Sequence, residues 1–165
     1  MSEDWSKLRD VDPLADGRAL IEFAIPLAEF GRLTAALASR EGHAVGSVGF
    51  SRESGVAVAE VKVEAPLELR CQRCFGAIKW PVSACGRVAL VGEGEDADRA
   101  PPELETILAP DHRISLRDLV EEELLLALPL AALHPESQCA TAAAGAEPAE
   151  ERQRPFAQLG ELLKR

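Results

Sequence analysis

The spacing of apolar positions changes along the chain, and the changes mark out the elements. Residues 18–25 partly alternate, with Leu20, Ile21, Phe23 and Ile25 apolar, which predicts a strand ended by Pro26. Leu27, Phe30, Leu33 and Leu37 then fall close to helical spacing among Ala35, Ala36 and Ala38, which predicts a helix over 27–39 closed by Gly42. After it the period returns to two. Residues 44–50 are β-like, with Gly46 and Gly49 suited to close backbone approach. Ser54-Gly55 is a turn signal. Val56, Val58, Val61 and Val63 alternate with small or polar residues, and a phase slip at Ala59-Glu60 predicts a bulge. Pro66 predicts an edge or a kink before Leu67 and Leu69. Ile78, Trp80 and Val82, then Cys85, Val88 and Leu90, carry the alternation onward. These runs read as an antiparallel meander.

The second half is less regular. Residues 91–102 are rich in Gly, Pro and acids and read as a mobile acidic loop. Residues 104–108 read as a short strand. Ser115 caps the clearest helix, with Asp118 three residues on in a capping-box-like pair. Leu116, Leu119, Val120, Glu123, Leu124 and Ala127 share a face, and Pro129 ends or kinks the helix. Glu121-Glu122-Glu123 reads as a solvated face rather than a functional patch. The fold class expected is α+β: an antiparallel β-meander of about five to six strands, two main helices and a short C-terminal helix. Residues 1–139 form the domain, 140–153 a flexible Ala/Glu/Pro-rich linker, and 154–165 the short helix, begun by Pro155 and striped by Phe156, Leu159, Leu162 and Leu163. Residues 1–17 read as polar and turn-like.

Composition narrows the function. The 165 residues are 47% hydrophobic, enough for one core, and no run approaches the length of a membrane helix. The acidic start, without a signal-peptide pattern, predicts a cytoplasmic protein in which thiols stay reduced. A net charge of −10 argues against a surface coated in nucleic acid. The charge is uneven, however. Residues 61–90 carry five cations against two acids, net +3, and 91–151 carry three against fifteen, net −12. The basic neighbourhood surrounds one tight turn, Arg70-Cys71-Gln72-Arg73-Cys74-Phe75-Gly76. Chance clustering on a solvated sheet face accounts for it equally well.

Two thiols at C-x-x-C spacing can hold one metal ion, close a disulfide, or pack as small apolar groups. Cys139 lies in a polar setting five residues after His134, so Cys71, Cys74, His134 and Cys139 make a candidate Cys₃His zinc set, with Zn²⁺ the one cofactor expected. Cys85 reads as packing, and His43 and His112 as surface residues without partners. Arg70, Arg73, Lys79 and Arg87 are the candidate RNA-phosphate contacts, with Phe75 and Trp80 as stacking platforms. No nucleophile elbow, Walker loop, zincin motif or Rossmann fingerprint occurs, so a non-enzymatic protein without a small-molecule substrate is expected. A thiol-disulfide enzyme using Cys71 and Cys74 fits poorly, because that motif should open a helix and the chain after Phe75 reads as extended.

Residues 67–74, residues 119–130 with His134 and Cys139 after them, and the closing Arg154-Pro155-Phe156-Ala157-Gln158-Leu159 together resemble the YceD family of bacterial large ribosomal RNA subunit accumulation proteins. Arg154 stands where the family's C-terminal helix usually has Asn. The resemblance covers most of the chain. It implies a role in the synthesis, processing or stability of 23S rRNA, with precursor rRNA or ribosome-assembly proteins as partners. An acidic or zinc-binding adaptor that meets only protein is the alternative.

Overall fold

The computed structural model describes residues 4–92, 99–135 and 139. The predicted linker and C-terminal helix lie outside these residues, as does the middle of the acidic loop.

Seven strands and two α-helices, the first a short one, make up the described fold: β1 Leu8–Asp10, α1 Val11–Asp16, β2 Leu20–Pro26, β3 His43–Glu53, β4 Val56–Arg70, β5 Ala77–Val91, β6 Glu105–Leu108, β7 Arg113–Ser115 and α2 Leu116–Leu126. The main sheet runs β2-β3-β4-β5-β6, and β1 pairs with β7 in a separate two-stranded ribbon. The class is α+β, dominated by sheet. Strands β2 to β5 pair antiparallel in chain order, but β6 lies parallel to β5, so the sheet is mixed and not the antiparallel meander expected. Its return across the fold follows from the 13-residue separation of β5 and β6, too long for a hairpin.

The alternation on β4 sets the core face. Ala57, Ala59, Val61, Val63, Ala65, Leu67 and Leu69 point inward and are buried, while Glu60, Lys62, Glu64 and Glu68 point outward. No bulge occurs at Ala59-Glu60: the register runs unbroken from Val58↔Ser51 to Val61↔Val48 on one side, and through Glu60↔Arg87 on the other. The phase slip has a different cause. Val56 lies on the outer face, yet it is buried with Ala89 and Val91 beneath Ala100 and Leu104. That end of the sheet is covered on both faces, so the predicted loop is packed at its far end, where Pro101 is also buried.

Pro66 and Pro81 face each other across β4 and β5. Neither has an N–H to give, and each nitrogen faces the side where the neighbouring strand has run out. β3 ends its pairing at Val45↔Glu64, and β6 begins only at Val88↔Glu105.

The helix expected over 27–39 does not form. Two 3-10 turns, Leu27–Glu29 and Leu33–Ala35, replace it. Leu27, Phe30, Leu33 and Leu37 are buried as their spacing implied, but the backbone past Ala35 is drawn onto β4. Ala38 N–H donates to Glu68 O at 2.7 Å, Arg70 N–H to Ala36 O at 3.2 Å, and Leu37 bridges Leu69. The edge that β3 leaves open on β4 offers hydrogen bonds that outweigh the helix propensity of three alanines.

The N-terminal segment is structured rather than a polar lead-in. Trp5, Val11 and Ala15 are buried, and Trp5 meets Phe23 edge-on at 6.5 Å. Asp10 caps the six-residue α1. Arg52 ties α1 to β3 through Asp12 and Asp16, both at 2.8 Å. The second real helix is α2, begun at Ser115 as expected, with Oγ accepting from Asp118 N–H at 3.0 Å. The reciprocal half of the box is not made, because Asp118 takes the Arg117 guanidinium instead.

Candidate metal centre

β4 and β5 run in register to Arg70↔Ala77 and leave six residues for the connection. Cys71 N–H donates to Gly76 O at 2.8 Å and Phe75 N–H to Cys71 O at 2.9 Å, which folds 71–76 into a tight knuckle. The left-handed residue is Phe75, at φ 61°, and not the glycine after it. Gly76 instead keeps space beside the Cys74 sulfur and the His134 ring, 3.5 Å from the position of a Cβ. On the other side, Gln72 N–H donates to Ala132 O at 2.9 Å, which pins the chain after α2 against the knuckle.

That contact brings the two halves of the Cys₃His set together. The ligand atoms of Cys71, Cys74, His134 and Cys139 all lie within 4.8 Å of one another. The Cys71 and Cys139 sulfurs are 3.9 Å apart, and Cys74 Sγ is 3.3 Å from His134 Nδ1. Zinc bonds of about 2.3 Å to sulfur and about 2.0 Å to nitrogen give tetrahedral edges of about 3.8 and 3.5 Å. A disulfide would need about 2.05 Å. The two closest pairs match those edges and the four donors lie together, so the set could hold a tetrahedral metal ion such as zinc.

The surrounding groups support that fit. His134 Nε2 lies 3.0 Å from Ala77 O, and donating a proton there leaves Nδ1 as the free lone pair facing the thiols. Arg73 N–H points at Cys71 Sγ from 3.4 Å. Desolvation opposes ionisation of Cys71, yet backbone hydrogen bonds from Cys74, His134 and Arg73, with the His134 side chain, outweigh it and bring the thiol down to about 5. Burial and the neighbouring Cys74 and Cys71 push Cys139 up to about 11. Hydrogen bonding with Cys71 raises His134 above its ordinary value. The hydrogen bonds on Cys71 favour its thiolate, the form a cation needs, and binding a cation would release the proton of Cys139. The C-x-x-C opens no helix.

Arg70, Arg73 and Lys79 are exposed around the knuckle and have no ion-pair partner among the described residues, whereas Arg87 is held by Glu53. Phe75 is 74% exposed, and Trp80 packs partly against the core. Cys85, expected to pack, is exposed on the outer face opposite Lys62. His43 is exposed, and His112 has a partner after all, with Nδ1 3.7 Å from Asp12.

The acidic run on α2 is not a solvated face. Glu121 and Glu123 are buried. Glu121 accepts from the backbone N–H groups of Arg32 and Leu33 at 2.7 and 2.9 Å. Glu123 sits over Gly86, whose missing Cβ is what admits the carboxylate. The sequence held a signal for the second, since Glu123 falls on the apolar face of α2.

The family model described as large ribosomal RNA subunit accumulation protein YceD matches residues 59–163, which take in most of β4, the knuckle, α2 and all four candidate ligands. No curated protein and no solved structure matches the chain.

Proposed function

The chain belongs to the YceD family, and on that premise we propose that it is a non-enzymatic ribosome-biogenesis factor acting in the synthesis, processing or stability of 23S rRNA, in the cytoplasm. Zinc held by Cys71, Cys74, His134 and Cys139 would fix the knuckle as a rigid projection. Arg70 and Arg73 on that projection, with Lys79 beside it on β5, would meet RNA phosphates, and Arg87 would join them if it exchanged Glu53 for a phosphate.

The observation that carries this reading is Phe75. Its side chain is largely in solvent while its backbone is left-handed at φ 61°. A left-handed bulky residue costs roughly 1 kcal/mol, and a glycine would avoid that cost. With 74% of the side chain in solvent, packing repays little of it, and an exposed aromatic on the same turn as Arg70 and Arg73 suits a nucleobase, whose stacking is worth about 1–3 kcal/mol. The net charge of −10 disfavours indiscriminate RNA binding, which suits a factor that must find one structured site.

The test is binding of large-subunit rRNA fragments at rising salt. Arg70→Glu/Arg73→Glu is expected to weaken binding at least about tenfold, or 1.4 kcal/mol, and Phe75→Gly to weaken it while the knuckle stays folded. Equal affinities for wild type and both variants would remove RNA from the knuckle and leave the adaptor that meets only protein.

A further inference from the structure

Beside the knuckle runs a groove of about 190 Å³ walled by Ala35, Ala36, Leu69, Phe75, Leu128 and Ala132. Phe75 and three leucines of the segment that forms one wall, Leu126, Leu130 and Leu133, are exposed there. Leu130 stands fully in solvent, two residues past Leu128. Apolar surface gathered in this way signals an unfilled contact. The charges at the two ends of the patch are opposite. Arg70 lines the groove at the knuckle end, exposed and without an ion-pair partner among the described residues. From there the chain leads back through Ala132, which takes Gln72 N–H, to Leu126 and α2. Glu122 lies one turn before Leu126 on the same face of that helix. Its carboxylate holds Arg32 at 2.8 Å, but both side chains are about half in solvent. Such a pair contributes under about 1 kcal/mol, so Glu122 can exchange it for another cation.

We propose that this patch is the interface of a two-fold homodimer, in which Leu130 of each copy enters the groove of the other and Glu122 of each meets the partner's Arg70. A two-fold contact uses the same surface on both subunits, so that surface has to complement itself. This one does so in shape, with a hole beside a projecting leucine. It also does so in charge, because an axis between the acid and the cation sets each against its opposite. Packing in the other direction would oppose acid to acid and cation to cation, which fixes the orientation. That self-complementarity selects a second copy of the chain over an unrelated partner. The net charge of −10 repels two copies at long range, and the patch is small, so a weak dimer is expected, with Kd on the order of 10 µM. Arg70 is shared with the proposed RNA contact, so dimer and RNA would exclude each other at the knuckle, although the dimer does not depend on RNA.

Analytical ultracentrifugation of the whole 165-residue chain, without RNA and in reducing buffer because Cys85 is exposed, tests this. The mass is expected to rise from that of the 17.7 kDa monomer towards twice that value between about 1 and about 200 µM. Leu130→Asp should stay monomeric throughout with unchanged circular dichroism, since the leucine is fully exposed in its own fold. Glu122→Arg and Arg70→Glu should each raise Kd at least about tenfold, because each sets like charges opposite one another. An equimolar mixture of these two variants should dimerise as wild type does, because both pairs are then restored with their signs reversed. A wild-type chain that is monomeric at about 200 µM overturns the proposal, as does a dimer that survives Leu130→Asp. A dimer lost in Leu130→Asp but not recovered by the mixture overturns the pairing of Glu122 with Arg70, and the two-fold arrangement with it. RNA binding is measured separately, so either reading can fail alone.

Discussion

Glu123 brings a carboxylate under the sheet where its nearest charges are also negative. Desolvation first, and then Glu105 and Glu122, raise its pKa above the ordinary 4.5. Below 4.5 the group is protonated whether the chain is folded or not, and it has no effect. As pH rises from 4.5 through the raised folded value, the unfolded chain gives up its proton first, so the folded state binds more protons and stability falls. Above that value the full penalty stands. Glu123→Gln is therefore expected to melt higher than wild type at pH 8, with the difference closing near pH 4. A variant that melts lower at pH 8 would mean that the charge is held by a partner. At this scale the sequence was partly legible. Cys71, Cys74, His134 and Cys139 were identifiable by type and setting. The partner of Glu123 was not, because Gly86 lies 37 positions away and carries no signal except an absent side chain.

Glu121 joins two elements. Its carboxylate serves as the acceptor that the start of the 3-10 turn Leu33–Ala35 lacks, since that turn has no side-chain cap of its own. Removing it strands two backbone donors, one of them buried, at about 1–3 kcal/mol. Glu121→Ala should therefore destabilise by about that much in urea melts. Glu122→Ala, which breaks only an exposed pair with Arg32, should cost under about 1 kcal/mol. Equal effects from the two would reduce the contact to charge alone. Elements that stand on their own local chemistry were legible, as with α2 from Ser115 and the Ser54-Gly55 hairpin. The segment 27–39 was not. Its apolar spacing was right for burial, but its backbone conformation is decided by the open edge of β4, which no local window contains.

A metal ion held by the Cys₃His set would close a loop of 68 residues between Cys71 and Cys139. A cross-link of that span is worth about 4 kcal/mol in chain entropy, which for a chain this size is about 10 °C in melting temperature. Protein purified without chelator is expected to hold about one zinc by elemental analysis. A strong chelator should lower its melting by about that interval and leave Cys71→Ser unmoved. No bound metal, or melting indifferent to chelator, would return the four residues to simple packing. At the scale of the whole molecule, the antiparallel pairing of β3, β4 and β5 was legible because hairpins are local, but a meander running through the whole sheet was not what formed. The parallel β6, and the two-sided burial at Val56, depend on where a distant segment returns.

The ribbon of β1 and β7 joins Leu8–Asp10 to Arg113–Ser115. A ribosome delivers the N-terminus first. Residues 8–10 must therefore wait, unpaired, while more than a hundred residues follow. Strands β2 to β5 can pair meanwhile, because each needs only its neighbour in the chain. Trp5, whose carbonyl later accepts from Arg117 N–H, waits with them. A strand of three residues carrying Arg9 and Asp10 is a poor template for mispairing, so the order of synthesis leaves the last piece to be fitted as the one least able to go astray.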